Sequence, residues 1–172
     1  PDRRAGRGRK LRPSPIRKIA VDAGLNVRQP TLLSEEIPYL AALEPDLLIV
    51  VAYGLILPQE VLDIPRYGCI NVHASLLPRW RGAAPIQRAI EAGDHEIGIS
   101  LMRINKHLDS GDILTQVSTE ILSSDTSGTL HHRLADLGAH EMIKLLPSIA
   151  SEIATAQDHE KATYAAKIQA EE

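Results

Sequence analysis

Phenylalanine is absent from the 172 residues, and aromatic side chains make up only 3% of them. The core must therefore be aliphatic, which argues against a β-sandwich and against an aromatic stacking platform for single-stranded nucleic acid. Cys69 is the only cysteine, so an internal disulfide and CxxC metal or redox chemistry are both excluded, and a reducing compartment is expected. No apolar run reaches the roughly 18 residues of a membrane-spanning helix, and no apolar signal region opens the chain. Neither G-x-G-x-x-G after a strand nor a P-loop occurs, which leaves nucleotide-cofactor chemistry without a motif. What is present is 44% hydrophobic and 24% charged, a balance that suits one soluble globular domain with a real core.

The net charge of -3 hides an asymmetry. Residues 1–18 hold eight basic side chains against Asp2 alone, a net of +7, and the remaining 154 residues carry a net of -10. A cationic arm on an acidic body suits a polyanionic partner, with a solvated tail as the plain alternative. Gly6 and Gly8 flank Arg7, and Pro13 and Pro15 close the segment, which gives it the character of a shaped loop.

Along the chain, Ser14 and Pro15 predict a helix running to Ala23 and stopped by Gly24. A second helix is expected over Ser34 to Leu43, capped by Ser34, with Ile37, Leu40 and Ala41 on one face and Pro38 in its first turns. Asp46 to Ala52 and Gly68 to His73 are continuous apolar runs, the pattern of strands covered on both faces. Between them, Pro58 to Leu62 makes one or two helical turns. A helix over Pro85 to Ala92 ends at Gly93. Two alternating runs, Gly98 to Ile104 and Ile113 to Ile121, predict antiparallel strands at a sheet edge with one wet face. A long amphipathic helix starts at Asp125-Thr126-Ser127 and runs toward Ile153, eased at Gly138 and Pro147; from Thr155 the chain is polar and irregular. Helices interleaved with buried strands give a three-layer α/β fold with a mixed sheet.

The chemistry concentrates in Asn71-Val72-His73. At strand periodicity Asn71 and His73 emerge on one face where the strand meets its loop, the place where open α/β sheets bind ligands. An imidazole can donate to a developing oxyanion or accept a proton, and an amide offers a fixed N–H dipole. Asp109, in the turn Leu108-Asp109-Ser110-Gly111-Asp112, can fix the imidazole tautomer or relay a proton. Together they suit acyl-group chemistry; read from the residues alone, a structural role for each stays equally open. Other candidates are weaker. His131 and His132 point about 100° apart on a helix and cannot share a metal by themselves. Ser75 lacks the G-x-S-x-G elbow of a serine hydrolase, Cys69 reads as a small core residue, and His107 is either a binding or a solvated residue.

The ordered set Asn71-Val72-His73-Ala74-Ser75-Leu76-Leu77-Pro78, then Arg81-Gly82, then Leu108-Asp109-Ser110-Gly111-Asp112 resembles the signature of the folate-dependent formyltransferases. The basic opening from Pro1 to Leu11 with Pro13-Ser14-Pro15, the stretch Val51 to Pro58 and the stretch Arg79 to Gln87 resemble the branch of that family that acts on methionyl-tRNA. The resemblance runs to Thr163-Tyr164-Ala165 and implies a three-layer, Rossmann-like, mixed and mostly parallel sheet. It also implies that Asn71, His73 and Asp109 move a formyl group from 10-formyltetrahydrofolate to the α-amine of methionine on initiator tRNA. By the same resemblance, Tyr53, Gly54, Leu55, Ile56, Leu57, Ser75, Leu76, Leu77, Pro78, Asn105, Lys106, His107 and Leu108 would line the folate site. Arg3, Arg4, Arg7, Arg9 and Lys10 would meet the acceptor end of the tRNA. A monomeric cytoplasmic protein without metal is implied, in a bacterium or, alternatively, an organelle.

The sequence departs from the family pattern at Ile97 and Ser110, each standing where threonine is common. The family places a strand, turn and helix ahead of the basic loop and a β-barrel after the catalytic domain. Residues 1–154, with the basic loop 1–13, are accordingly expected to be an N-terminally truncated catalytic domain, and residues 155–172 the start of a linker. Two rival functions remain: a formyltransferase acting on a small amine such as glycinamide ribonucleotide or an amino sugar nucleotide, and a non-catalytic RNA-binding module.

Overall fold

The computed structural model describes residues 3–5 and 10–169, and divides into two compact units, residues 1–42 and 43–172. In the first unit, β1 (Arg3–Ala5) pairs antiparallel with β2 (Lys10–Arg12). Helix α1 (Pro15–Asp22) begins as expected, with the Ser14 hydroxyl accepting from the Arg17 N–H, and ends before Gly24 at φ +71°. The second expected helix splits in two. Leu33–Glu36 is a 3-10 turn without a side-chain cap, and α2 (Ile37–Ala42) follows it, so Ser34 caps nothing. Pro38 is the physical reason: its ring crowds the carbonyl four residues back and it has no N–H to give, which disfavours an α turn over residue 34.

The second unit is built on a four-stranded sheet ordered β3 (Leu48–Val51), β4 (Cys69–His73), β6 (Glu96–Arg103) and β7 (Ile113–Glu120). The α/β class and the mixed sheet follow the sequence reading, as does the placing of β7 as an antiparallel edge strand with one wet face. The expectation of a mostly parallel sheet needs correction: of its three pairings only β3 with β4 is parallel, since β6 runs against both β4 and β7. Strand direction follows from how the chain re-enters the sheet after α4 (Pro85–Glu91), which no local pattern encodes.

β3 also differs from its expectation of cover on both faces. Among the described residues it has a strand partner on one side only, and Ile49 and Val51 are 43% and 62% exposed.

Helices lie on both faces of the sheet. On one side α4 and α5 (Ser127–Leu145) bury Ile86, Ala89, Leu130, Leu134, Met142 and Leu145 against Ile70, Ile97, Ile99 and Leu101. Each such leucine or isoleucine contributes about 1.5–3 kcal/mol on burial. Helix α5 starts on a capping box, with the Thr126 hydroxyl accepting from the Thr129 N–H and the Thr129 hydroxyl from the Thr126 N–H. It stops at Leu145 rather than near Ile153, and Leu146–Ser148, which contains Pro147, tightens into a 3-10 turn. Gly138 lets the helix approach closely, since a Cβ there would lie 2.8 Å from Val72 Cγ1.

On the other side the short helix α3 (Gln59–Leu62) sets its Leu62 carbonyl 3.9 Å from the Cys69 sulfur. This second face holds Cys69, Asn71 and His73 by strand alternation.

Residues 155–165 pack into this unit. Thr155 bridges to Ile113, and β8 (Tyr164–Ala165) pairs parallel with β5 (Arg81–Gly82).

Candidate active site

Asn71 and His73 leave β4 on the face opposite α5, and Asp109 is brought to them across 38 residues of sequence. The Asn71 amide nitrogen lies 3.5 Å from Asp109 Oδ1, and His73 Nδ1 lies 3.8 Å from Asp109 Oδ2. The His73 and Asp109 side chains are 7% and 14% exposed, so both work largely out of bulk water. The three groups thus gather over the strand face itself rather than only beyond its carboxyl end.

His73 and Asp109 are held from behind. His73 Nε2 sits 2.9 Å from the Trp80 carbonyl, which can only accept. Nε2 must therefore carry the hydrogen, and Nδ1 is the nitrogen left toward Asp109. Trp80 adopts φ +61°, a left-handed conformation that L-residues resist at roughly 1–2 kcal/mol. Its surroundings offset that cost: Trp80 N–H donates to Thr163 Oγ1 at 2.9 Å, and its indole N–H donates to Asp94 Oδ2 at 2.7 Å. Arg79 lies 4.3 Å over the indole ring and donates twice to Asp94, at 2.6 and 3.0 Å. The Arg79 hydrogen bond, opposed by burial and helped by Trp80, holds the Asp94 carboxyl below its ordinary value.

Asp109 is anchored by strand geometry. Along β5 the N–H groups of Arg81 and Ala83 turn toward the β8 side, donating to Thr163 O and Ala165 O at 2.9 Å each. The intervening Gly82 N–H must point the other way, and it donates to Asp109 Oδ2 at 2.8 Å. Only glycine serves at this position. Its φ is +111°, and a Cβ would lie 2.8 Å from the Ala165 carbonyl oxygen. Asp109 itself is left-handed, at φ +44°, a conformation aspartate tolerates better than most residues.

The loop after β4 is fixed by a buried polar knot. The fully buried Ser100 hydroxyl donates to Ser75 O at 2.6 Å and accepts from Leu77 N–H at 3.0 Å and from the Gln116 amide at 2.8 Å. Ser75 is itself fully buried, its hydroxyl donating to Arg79 O at 2.6 Å, and Leu77 is 3% exposed; the Leu77–Pro78 bond is cis.

The other expected ligand-binding residues are scattered in exposure. Tyr53, Leu55 and Ile56 are exposed at the carboxyl end of β3 beside Gly54, and Leu57 is buried. In the Asp109 turn, Lys106, His107 and Leu108 are exposed, and Asn105 Oδ1 organises the loop by accepting from His107 N–H at 2.9 Å and from Ser110 Oγ at 3.1 Å. A surface hollow of about 480 Å³, lined by Leu76, Arg79, Trp80, Asp94 and His95 among others, does not include the trio.

Of the basic arm, Arg3 and Arg4 fall in β1 and Lys10 in β2, while Arg7 and Arg9 lie outside the described residues. His131 and His132 are exposed on α5 with their rings edge to face, as expected of surface residues. Ile97 joins the core at 2% exposure. Among the described residues no group of three or more His, Cys, Asp or Glu could hold a metal ion, and no helix is long and apolar enough to cross a membrane.

Sequence reasoning missed Trp80 O and Gly82 N–H, since backbone groups leave no trace in residue identity. It also missed Gln157, which lies in a stretch whose polarity signals only a loop.

The strand presents an amide and an imidazole to a carboxylate held on a backbone N–H, and the chain belongs to the formyl transferase family, whose model matches residues 1–146. It is similar to the methionyl-tRNA formyltransferase of Methylococcus capsulatus, 57% identical over 176 aligned residues that take in 100% of this chain and 57% of that protein. The chain therefore spans a little over half the length of the curated relatives it matches. Among solved structures it is similar to the formyltransferase PseJ from Anoxybacillus kamchatkensis, crystallised in complex with UDP-4,6-dideoxy-4-formamido-L-AltNAc and tetrahydrofolate. That match has a TM-score of 0.62 at 25% identity, over 70% of this chain and 64% of the other. Phosphoribosylglycinamide formyltransferase from Bacillus halodurans shares the fold, with a TM-score of 0.71 at 20% identity over 79% and 75% of the two chains.

Proposed function

We propose that the protein transfers a formyl group from 10-formyltetrahydrofolate to the α-amine of methionine carried on initiator tRNA, with Asn71, His73 and Asp109 as its catalytic residues. The observation that carries this reading is the convergence of the three groups, with Asp109 on the Gly82 N–H and His73 anchored through Nε2. Similarity to methionyl-tRNA formyltransferases at 57% identity supports the choice of acceptor over a small-molecule amine. So does the net charge of +7 on residues 1–18, because a small substrate does not need a cationic arm.

The donor set suits the reaction. An attacking amine turns the formyl carbonyl into a tetrahedral oxyanion and leaves itself with a proton to lose. An amide nitrogen carries two hydrogens, so Asn71 can serve Asp109 with one and the oxyanion with the other. His73, fixed through Nε2, can present a protonated Nδ1 beside the same oxygen. Asp109 takes the amine proton. Collapse of the intermediate breaks the bond to the folate nitrogen, which takes the proton back from Asp109 as it leaves. The exposed Tyr53, Leu55, Ile56 and Leu108 offer apolar surface for a flat pterin ring, and Ser75 to Pro78 and Asn105 to His107 would complete the folate site. Arg3, Arg4, Arg7, Arg9 and Lys10 would hold the tRNA acceptor end. The single buried cysteine fits a reducing cytoplasm, and we assign no metal and one chain per active unit.

The test is formyl transfer to charged initiator tRNA by the full protein and by His73→Ala. The variant should lose at least about a hundredfold in kcat; unchanged turnover would end this assignment. Binding of the tRNA should weaken steeply with salt, and Arg7→Ala should flatten that slope by about one unit.

A further inference from the structure

Gln157 is 5% exposed and lies in the segment that follows α5, 48 residues beyond Asp109. Its amide nitrogen donates to the Asp109 carbonyl at 3.0 Å and to the Gly111 carbonyl at 2.7 Å. Its amide oxygen accepts from Arg81 Nε at 3.1 Å and Nη2 at 2.6 Å. The orientation of this amide is dictated by its neighbours, because arginine can only donate and a carbonyl can only accept. Arg81, 3% exposed, also brings Nη2 within 3.1 Å of His159 Nδ1, so the guanidinium is itself braced from the 155–165 segment. Both ends of the Gln157 side-chain amide are thus used, and two of its bonds close on the turn that carries Asp109.

That turn needs external support. Asp109 is left-handed, and its carboxylate must stay on the Gly82 N–H while the turn is closed behind it by the Arg103 N–H donating to the Asp112 carbonyl. A buried donor that clamps the carbonyls of Asp109 and Gly111 together fixes the backbone on both sides of Ser110.

We propose that Gln157, oriented by Arg81, is a positioning residue for the transfer reaction: it locks the Asp109 turn so that the carboxylate faces His73 Nδ1 and Asn71. This rests on the assignment of Asp109 to the chemistry. It makes the 155–165 segment part of the active site, and Arg81 the joint between that segment and the strand whose next residue, Gly82, holds the carboxylate.

The informative variant is Gln157→Glu, which keeps the acceptor that Arg81 needs and gains an ion pair with it, yet removes the donor from the Asp109 and Gly111 carbonyls. In the full protein we expect kcat to fall about tenfold or more with KM for the formyl donor nearly unchanged. In an Asp109→Ala background the same change should cost nothing further, because the effect passes through Asp109. A second readout needs no turnover: exchange of the Gly82 amide hydrogen should quicken about tenfold in Gln157→Glu, relative to core amides of α5. Wild-type kcat in the variant, full additivity with Asp109→Ala, or unaltered Gly82 exchange would each overturn the role of Gln157. Failure of the unaltered protein to transfer formyl groups would instead refute the functional assignment, and the Gly82 exchange would then decide on Gln157 alone.

Discussion

Replacing Gly111 with alanine should be the most damaging single methyl that can be added near the site. A Cβ built there lies 1.9 Å from the Arg103 carbonyl oxygen and 2.8 Å from the Arg103 carbonyl carbon, about 1.5 Å short of the 3.4 Å at which ordinary contact begins. Both obstacles are backbone at the end of β6, where Met102 pairs with Ile113 and Arg103 N–H donates to Asp112 O at 2.8 Å, so neither can swing aside. The turn must open instead. Opening loses the Arg103–Asp112 bond and the Gln157 bond to Gly111 O, each about 1 kcal/mol net, in addition to roughly 1–3 kcal/mol of overpacking strain. A total of about 3–5 kcal/mol corresponds to a fall in Tm of roughly 6–20 °C for a chain of this size. Calorimetry on the full protein measures this directly. Because the opened turn carries Asp109, transfer should fall as well at temperatures where the variant is folded. A Tm within about 2 °C of the parent would show that the turn yields freely, and the close-packing argument would be wrong.

Asn71→Ala should lower kcat by about 10²–10³ without unfolding the protein, whereas Asn71→Asp should fare no better, since a carboxylate offers the oxyanion no donor; steady-state rates on charged tRNA decide this. Asp94→Asn should destabilise the Arg79–Trp80 corner by about 1–2 kcal/mol at neutral pH. Asp94 is held below its ordinary 3.8, so its stabilisation is present above that value and lost as pH falls through the lower native value. Parent and variant should therefore converge in urea midpoint as the pH falls below the ordinary carboxylate range, and a constant gap across the acid range would refute the pairing. Burial pushes the Cys69 thiol up to about 11, so iodoacetamide at pH 8 should leave the native protein unlabelled and modify it readily in denaturant. Rapid native labelling, read by mass spectrometry, would contradict the packing of β4 against α3.

Much of the architecture was legible because it rests on local rules. The Ser14 cap, the Thr126 start of α5 and the glycine stops follow from hydrogen bonds within a few residues. The alternation of β7 follows from a face that meets water. Elsewhere the simple patterns failed. Ser34 lost its capping role to the steric demand of Pro38. The apolar run of β3 predicted cover on both faces, whereas Ile49 and Val51 are exposed among the described residues.

The sequence by itself determined which chemistry is available. Asn71, His73 and Asp109 are an amide, an imidazole and a carboxylate wherever the chain puts them, and strand periodicity alone places the first two on one face. Tertiary structure decided what they can do together. It brought Asp109 across 38 residues to Asn71 and turned the Gly82 N–H toward its carboxylate. It gave His73 Nε2 to the Trp80 carbonyl and set Gln157 under the turn. These contacts are made by backbone groups and by residues far apart in the chain, whose meeting depends on how β5, β8 and the Asp109 turn pack. Residue type fixes the proton donors and acceptors; only the packed chain fixes which of them face each other.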